Sequence, residues 1–98
     1  MNITELKNIA KQIRLDIIEE VSSAQSGHPG GSLSAVEIVT LLYFDIMNIP
    51  SFEDENRDRF VLSKGHASPL LYATLCEKGV FPREELKTFR QVGSRLQG

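Results

Sequence analysis

The residues best suited to chemistry in this chain are its two histidines, His28 and His66. His28 lies in residues 26–32, which read Ser-Gly-His-Pro-Gly-Gly-Ser, and His66 lies in residues 62–69, which read Leu-Ser-Lys-Gly-His-Ala-Ser-Pro. Glycine allows the backbone to turn tightly and to approach a ligand closely, and imidazole exchanges protons near neutral pH. Two such segments in one short chain indicate an active-site wall.

Each segment has a functional and a purely structural interpretation. His66 follows a short apolar run and lies in a glycine turn just before the helix-start signal Ser68-Pro69. In α/β proteins, the free backbone amides of a helix that starts in this way bind anions. The alternative is that His66 caps a backbone carbonyl. The His28 segment, taken alone, favours a loop between two helices with a solvent-facing histidine.

The chain offers no recognisable metal site. Its histidines have no thiol or carboxylate at the spacing of a zinc site, and the acidic run of residues 53–55 lacks the ligand spacing of an EF-hand. Cys76 is the single cysteine, which excludes an internal disulfide. We interpret Cys76 as a small buried side chain and predict no metal ligands.

Apolar periodicity predicts the helices that must position these segments. A stripe from Leu6 to Val21 predicts a first helix with Thr4 as its N-cap, and the charged residues around it, Glu19 and Glu20 included, are interpreted as a solvated face. Residues 34–37, Ser-Ala-Val-Glu, predict a capping box that opens a second helix, apolar nearly all round.

The second half of the chain predicts one strand and two helices. The run Phe-Val-Leu predicts a short buried strand near residues 60–63. A helix with Ser68 as its N-cap then ends at Lys78-Gly79, and a short final helix opens at Pro82. The fold class is therefore α/β, mostly helical, and the lone strand needs partners from elsewhere.

Composition narrows the class of partner. The formal net charge is −2 with both signs mixed along the chain, and without a basic stripe a nucleic-acid partner is not expected. No apolar run reaches the roughly 20 residues of a membrane span, and the first residues lack the pattern of a secretory signal. We expect a cytoplasmic protein with no membrane partner.

Three stretches resemble the N-terminal part of transketolase in order and spacing. They are residues 26–31, residues 56–67, which read Asn-Arg-Asp-Arg-Phe-Val-Leu-Ser-Lys-Gly-His-Ala, and residues 89–98, which read Phe-Arg-Gln-Val-Gly-Ser-Arg-Leu-Gln-Gly. The resemblance covers nearly the whole chain. It looks most like the split form, in which the first half is a separate N-terminal subunit. Dihydroxyacetone synthase, a close relative, stays open as an alternative.

The resemblance implies an activity and two site residues. Transketolases transfer a two-carbon ketol unit from a ketose phosphate to an aldose phosphate, using thiamine diphosphate and a divalent metal, usually magnesium or calcium. His28 matches the catalytic, substrate-binding histidine that assists proton transfer, and His66 matches the cofactor-binding histidine at the diphosphate. The metal ligands of the family lie downstream of Gly98. Residues 1–98 are therefore expected to be an incomplete N-terminal part of the diphosphate-binding domain, inactive alone.

The same resemblance implies the partners. They are sugar-phosphate substrates, the remainder of the enzyme or a C-terminal transketolase subunit, and a second copy in a homo-oligomer, with a role in pentose phosphate metabolism. Two other hypotheses stay open: a non-catalytic helical interaction module or truncated relative of the family, and a small metal-binding helical protein. The two intact histidine segments favour the enzyme.

Overall fold

The computed structural model describes residues 2–25 and 29–97, with His66 described by its backbone alone. This part of the chain is mostly helical, as predicted. The elements, in chain order, are α1 (Ile3–Ala24), α2 (Pro29–Ser34), α3 (Val36–Leu41), a π-helical turn (Leu42–Ile46), a 3-10 turn (Gly65–Ala67), α4 (Ser68–Glu77) and a final 3-10 helix (Arg83–Thr88).

Helix α1 follows the predicted apolar stripe. Its N-cap is Asn2, whose Oδ1 accepts a hydrogen bond from the Glu5 amide at 2.8 Å, so the assignment of Thr4 as the cap was wrong. The helix ends where Gln25 adopts a left-handed conformation with φ of 50° and donates its N–H to the Ser22 carbonyl. The buried face contains Leu6, Ala10, Ile13 and Ile17.

The predicted second helix is broken into shorter pieces. The Ser34 hydroxyl donates to the Gly31 carbonyl at 3.0 Å, and Ala35, which has no capping side chain, precedes α3, so the predicted capping box does not form. Helix α3 runs directly into the π-helical turn, where the Met47 amide donates to the Leu42 carbonyl.

The α3 segment is apolar on two sides. Val36, Val39 and Tyr43 are buried, whereas Ile38 and Ile46 are 64% and 65% exposed. The sequence predicted burial on more than one side. In the described part of the chain, only the first of these faces is covered.

The strand predicted near residues 60–63 does not form, which corrects the prediction. These residues have no regular secondary structure, because a strand needs a neighbour for its backbone hydrogen bonds and the described residues contain no other strand. The Phe60 ring instead meets the Tyr43 ring edge to face, with 5.8 Å between ring centroids. Val61 is exposed.

Two apolar clusters hold the helices together. The larger joins the buried face of α1 to α3 and α4, with Ile13, Ile17, Val36 and Leu70 at its centre. The smaller lies at the C-terminal end of α4 and contains Cys76, Phe81, Leu86, Phe89 and Leu96. The buried position of Cys76 is as predicted.

The predicted end of α4 is confirmed, whereas the final helix ends at Thr88, before Gly93, where the sequence predicted its end. Helix α4 has Lys78 as its C-cap, and Gly79 follows with φ of 86°. The short final helix follows Pro82 and is of the 3-10 type. None of the helices in residues 2–25 and 29–97 combines the length and apolarity that crossing a membrane requires.

Candidate functional site

The structure brings helix α2, which follows His28 in the sequence, against the turn that contains His66. The same helix also packs against the start of α4. Ser32 Oγ accepts a hydrogen bond from the Leu70 amide at 3.3 Å, across 38 positions of chain. Lys64 Nζ donates to Ser34 Oγ at 3.1 Å, across 30 positions. Two hydrogen bonds therefore join segments that are distant in the sequence.

The two predicted site residues differ in what the structure reports of them. His28 lies outside the described residues, so its catalytic and substrate-binding roles stay predictions. His66 is the middle residue of the 3-10 turn, in which the Ala67 amide donates to the Lys64 carbonyl at 2.9 Å. The description of His66 ends at its backbone, so its contact with a cofactor also stays a prediction.

The first turn of α4 does not offer the free amides that the sequence suggested. The Ser68 amide donates to the Gly65 carbonyl, Pro69 has no N–H, and the Leu70 amide donates to Ser32 Oγ. Because these groups are engaged within the chain, they cannot also bind an anion. Any anion contact in this region has to come from side chains or from the turn before α4.

One polar side chain beside the His66 turn is buried without a partner. Ser68, predicted as the N-cap of α4, is instead its first residue, and Ala67 precedes it. Ser68 Oγ is inaccessible to solvent and has no hydrogen-bond partner among the described residues. A buried hydroxyl of this kind costs free energy unless it finds a partner.

A second polar cluster, which the sequence did not reveal, lies between α1, α4 and the final 3-10 helix. The Arg83 guanidinium contacts the Asp16 carboxylate at 3.3 Å and Glu77 Oε1 at 2.5 Å. Glu20 has no exposed surface and neither of its carboxylate oxygens has a partner in the described structure. Burial, and secondly the charge of Asp16, raise the pKa of Glu20 to about 9. At neutral pH, Glu20 is therefore a neutral carboxylic acid.

The interpretation of Glu20 as part of a solvated face was wrong. Its position continues the spacing of the buried residues Ile13 and Ile17 by one more turn, and that register was the available signal. The nearby Cys76 thiol is also buried, and burial raises its pKa, so the thiol is protonated and unreactive at neutral pH.

Comparison with known proteins decides the family. A family model described as the transketolase thiamine diphosphate binding domain matches residues 5–98. The chain belongs to the transketolase family. Residues 1–98 are similar to mouse transketolase, with 43% identity over 95 residues that make up 95% of this chain and 15% of the mouse protein. The resemblance inferred from the histidine segments is thereby confirmed.

Two bacterial relatives in the transketolase family are named as subunits. One, from the apulose-4-phosphate transketolase of Phocaeicola vulgatus, is 41% identical over 100 residues, which is 100% of this chain and 36% of that protein. The other, from the 6-deoxy-6-sulfo-D-fructose transketolase of a Clostridium species, is 45% identical over 94 residues, which is 94% of this chain and 34% of that protein. The chain thus spans about a third of each of these two relatives.

The described residues of this transketolase-family chain do not by themselves fit thiamine diphosphate with its metal. Within residues 2–25 and 29–97, no group of three or more His, Cys, Asp or Glu side chains is arranged to hold a metal ion. The first-turn amides of α4 are engaged by Gly65 and Ser32. A complete cofactor site therefore needs groups beyond those described.

Proposed function

We propose that this chain is the N-terminal part of a transketolase that transfers a two-carbon ketol unit from a ketose phosphate to an aldose phosphate. The observation that carries the proposal is the hydrogen bond between Ser32 and Leu70, in a chain of the transketolase family. This bond places the start of α4, just after His66, against α2, just after His28. We assign to the histidines that adjoin these two elements in the sequence a reaction that moves protons at hydroxyl and carbonyl groups.

In this proposal the two histidines have different tasks. His28 contacts the substrate and moves a proton at its reacting hydroxyl or carbonyl oxygen. His66 contacts the cofactor diphosphate through its side chain, since the first-turn amides of α4 are engaged elsewhere. An imidazole that donates to a phosphate oxygen forms a charge-assisted hydrogen bond.

The cofactor in this proposal is thiamine diphosphate with magnesium or calcium, which supplies the carbanion chemistry when bound. Because the described residues contain no metal-holding group, we assign the metal ligands to the part of the enzyme outside residues 1–98. The isolated 98-residue chain is then inactive, since neither histidine can compensate for a missing metal site.

We further propose the split arrangement, with a homo-oligomeric assembly and a C-terminal partner chain in the cytoplasm. The support is that two of the relatives are named as transketolase subunits. The substrates in the names of those relatives, apulose 4-phosphate and 6-deoxy-6-sulfo-D-fructose, differ from each other. Apulose 4-phosphate carries a phosphate, whereas 6-deoxy-6-sulfo-D-fructose carries a sulfonate, so the two names do not select one anionic group. We assign sugar phosphates to this chain on its membership of the transketolase family.

The test uses the full-length protein that contains this chain, assembled with the C-terminal subunit. Ketol transfer is assayed over a panel of ketose phosphate donors and aldose phosphate acceptors, with and without thiamine diphosphate and magnesium. We expect cofactor-dependent transfer. In the H28A variant we expect kcat to fall by about 10² or more, as for loss of a proton-transfer residue. H66A is expected to raise the thiamine diphosphate concentration needed for half-maximal activity.

The outcomes separate the parts of the proposal. No transfer by the assembled protein with any donor overturns the assigned activity. Micromolar binding of thiamine diphosphate to the isolated 98-residue chain overturns the assignment of the metal and diphosphate groups to the remainder of the enzyme.

A second candidate is a non-catalytic interaction module. It is favoured by one observation, the exposed apolar side chains Ile38, Leu41 and Ile46 on α3 and the turn that follows it, because exposed apolar patches mark surfaces that bind other proteins. The same assay discriminates. An assembled protein that lacks ketol transfer but binds a partner through this face supports the module.

A further inference from the structure

We propose that Ser32 is a positioning residue that sets the separation of the two histidine segments by capping α4 from a distant part of the chain. This inference rests on the proposed function, and it assigns a role to a residue that touches neither substrate nor cofactor in that proposal.

Helix α4 lacks a side-chain cap from its own N-cap residue. A helix usually satisfies its first amides with the side chain of its own N-cap residue. The N-cap of α4 is Ala67, which has no side-chain acceptor. The Leu70 amide, in the first turn, donates instead to Ser32 Oγ at 3.3 Å. The acceptor that a local cap would provide comes from a residue 38 positions earlier.

The contact between Ser32 and Leu70 is buried. Ser32 and Leu70 have no exposed surface, and neither does Ala67. Water therefore cannot replace the hydroxyl as the partner of the Leu70 amide, and the loss of the hydroxyl leaves that amide buried and unpaired. The hydrogen bond fixes where α4 begins relative to α2.

The contact between Ser32 and Leu70 lies close in the sequence to both histidines. Ser32 lies four residues after His28, and Leu70 lies four residues after His66. A shift at this contact therefore displaces the start of α4 relative to α2, the elements next in sequence to His66 and His28. Displacements of about 1 Å in a positioned catalytic group can lower a rate by about 10².

The structure supplies a matched control in the same region. Lys64 Nζ donates to Ser34 Oγ at 3.1 Å, and this second contact between the same segments is exposed. A flexible lysine at the surface loses side-chain entropy when it is held in one geometry, and water can replace its partner. Removal of the Ser34 hydroxyl should leave the segments in place.

The experiment compares S32A, S32T and S34A in the full-length protein assembled with its C-terminal subunit. The readouts are hydrogen exchange at the Leu70 amide, kcat and KM for the ketose phosphate donor, and Tm, with kinetics measured well below the lowest Tm. For S32A we expect Leu70 exchange to rise and kcat to fall by about 10-fold to 100-fold, with a smaller change in KM. S32T keeps an acceptor oxygen and should recover most of kcat. S34A should match the wild type.

The alternative results are distinct. If S32A exchanges faster at Leu70 but keeps its wild-type kcat, the contact is only structural and the positioning role is wrong. Equal losses of kcat in S32A and S34A would also contradict it. Absence of ketol transfer in the wild-type assembly overturns the proposed function, and the positioning role with it. If S32A does not fold, S32C, whose sulfur is a weaker acceptor, takes its place with the same expected direction.

Discussion

Arg83 lies against Asp16, 67 positions earlier in the chain, with Nε–Oδ1 and Nη2–Oδ2 distances of 3.3 Å each. The pair joins the middle of α1 to the final 3-10 helix. Asp16 is only 4% exposed, so its charge depends on this guanidinium for compensation. The hydrogen bond from Arg83 to Glu77 extends the network to the end of α4.

We expect replacement of Arg83 by methionine to destabilise the protein. The R83M variant keeps part of the packing but leaves the Asp16 carboxylate buried without its cation. The expected loss is about 1–3 kcal/mol in the free energy of unfolding, less than for a fully buried pair because half of the Arg83 side chain is exposed. Urea unfolding measures it.

Lys87 provides the control for that measurement. Its Nζ lies 3.8 Å from Glu19 Oε1, and both side chains are at least half exposed. The K87M variant should lose less than about 1 kcal/mol. A loss for R83M no larger than that for K87M would show that the burial of Asp16 does not increase the contribution of its ion pair to the free energy of unfolding.

The buried carboxylic acid of Glu20 should make stability depend on pH. In the unfolded chain Glu20 ionises near 4.5, whereas in the folded protein its pKa is about 9. Between these values the folded state holds a proton that the unfolded state has released, so the free energy of unfolding falls as pH rises. The whole interval corresponds to at most about 6 kcal/mol.

The E20Q variant tests this by removing the titration. Its Tm should exceed that of the wild type at pH 8 by more than it does at pH 5, measured by differential scanning fluorimetry on the full-length protein. E19Q, the adjacent and exposed position, should keep the pH dependence of the wild type. Parallel Tm curves for E20Q and the wild type would mean that Glu20 is ionised in the folded state.

Gly79 and Gly30 should respond differently to alanine. Gly79 has φ of 86°, and a Cβ added there would meet no atom within 4 Å, so the cost is conformational alone. We expect about 1–2 kcal/mol from the left-handed backbone. Gly30 lies in α2 with the same open space, and alanine favours a helix. G30A should therefore be neutral or stabilising in urea unfolding, and equal losses for both variants would contradict this account.

The exposed face of α3 and the π-helical turn should make the isolated 98-residue chain self-associate. Ile38, Leu41 and Ile46 are all exposed there, and clustered apolar surface favours association. Analytical ultracentrifugation should show concentration-dependent oligomers that the I38E/I46E double variant reduces. V92E, at an exposed position in the C-terminal loop, should not reduce them. A monomer at every concentration would refute the prediction.

The local features of the fold were accessible from the sequence. The spacing of Leu6, Ile13 and Ile17 gives α1 its buried face, and the end of α4 just before Gly79 follows from that glycine's tolerance of positive φ. The family followed from the histidine segments because their residue types and spacing are specific. Patterns of this kind are readable because they report hydrogen bonds and burial within a few turns of chain.

The contacts that assemble the site were decided by the tertiary structure alone. Ser32 caps α4 from 38 residues away, and Arg83 compensates Asp16 from 67 residues away. The strand expected near residues 60–63 is absent from the described part of the chain because its ladder partners are not there. No local pattern encodes these outcomes, since each depends on which distant groups the packing of the helices places within hydrogen-bonding distance.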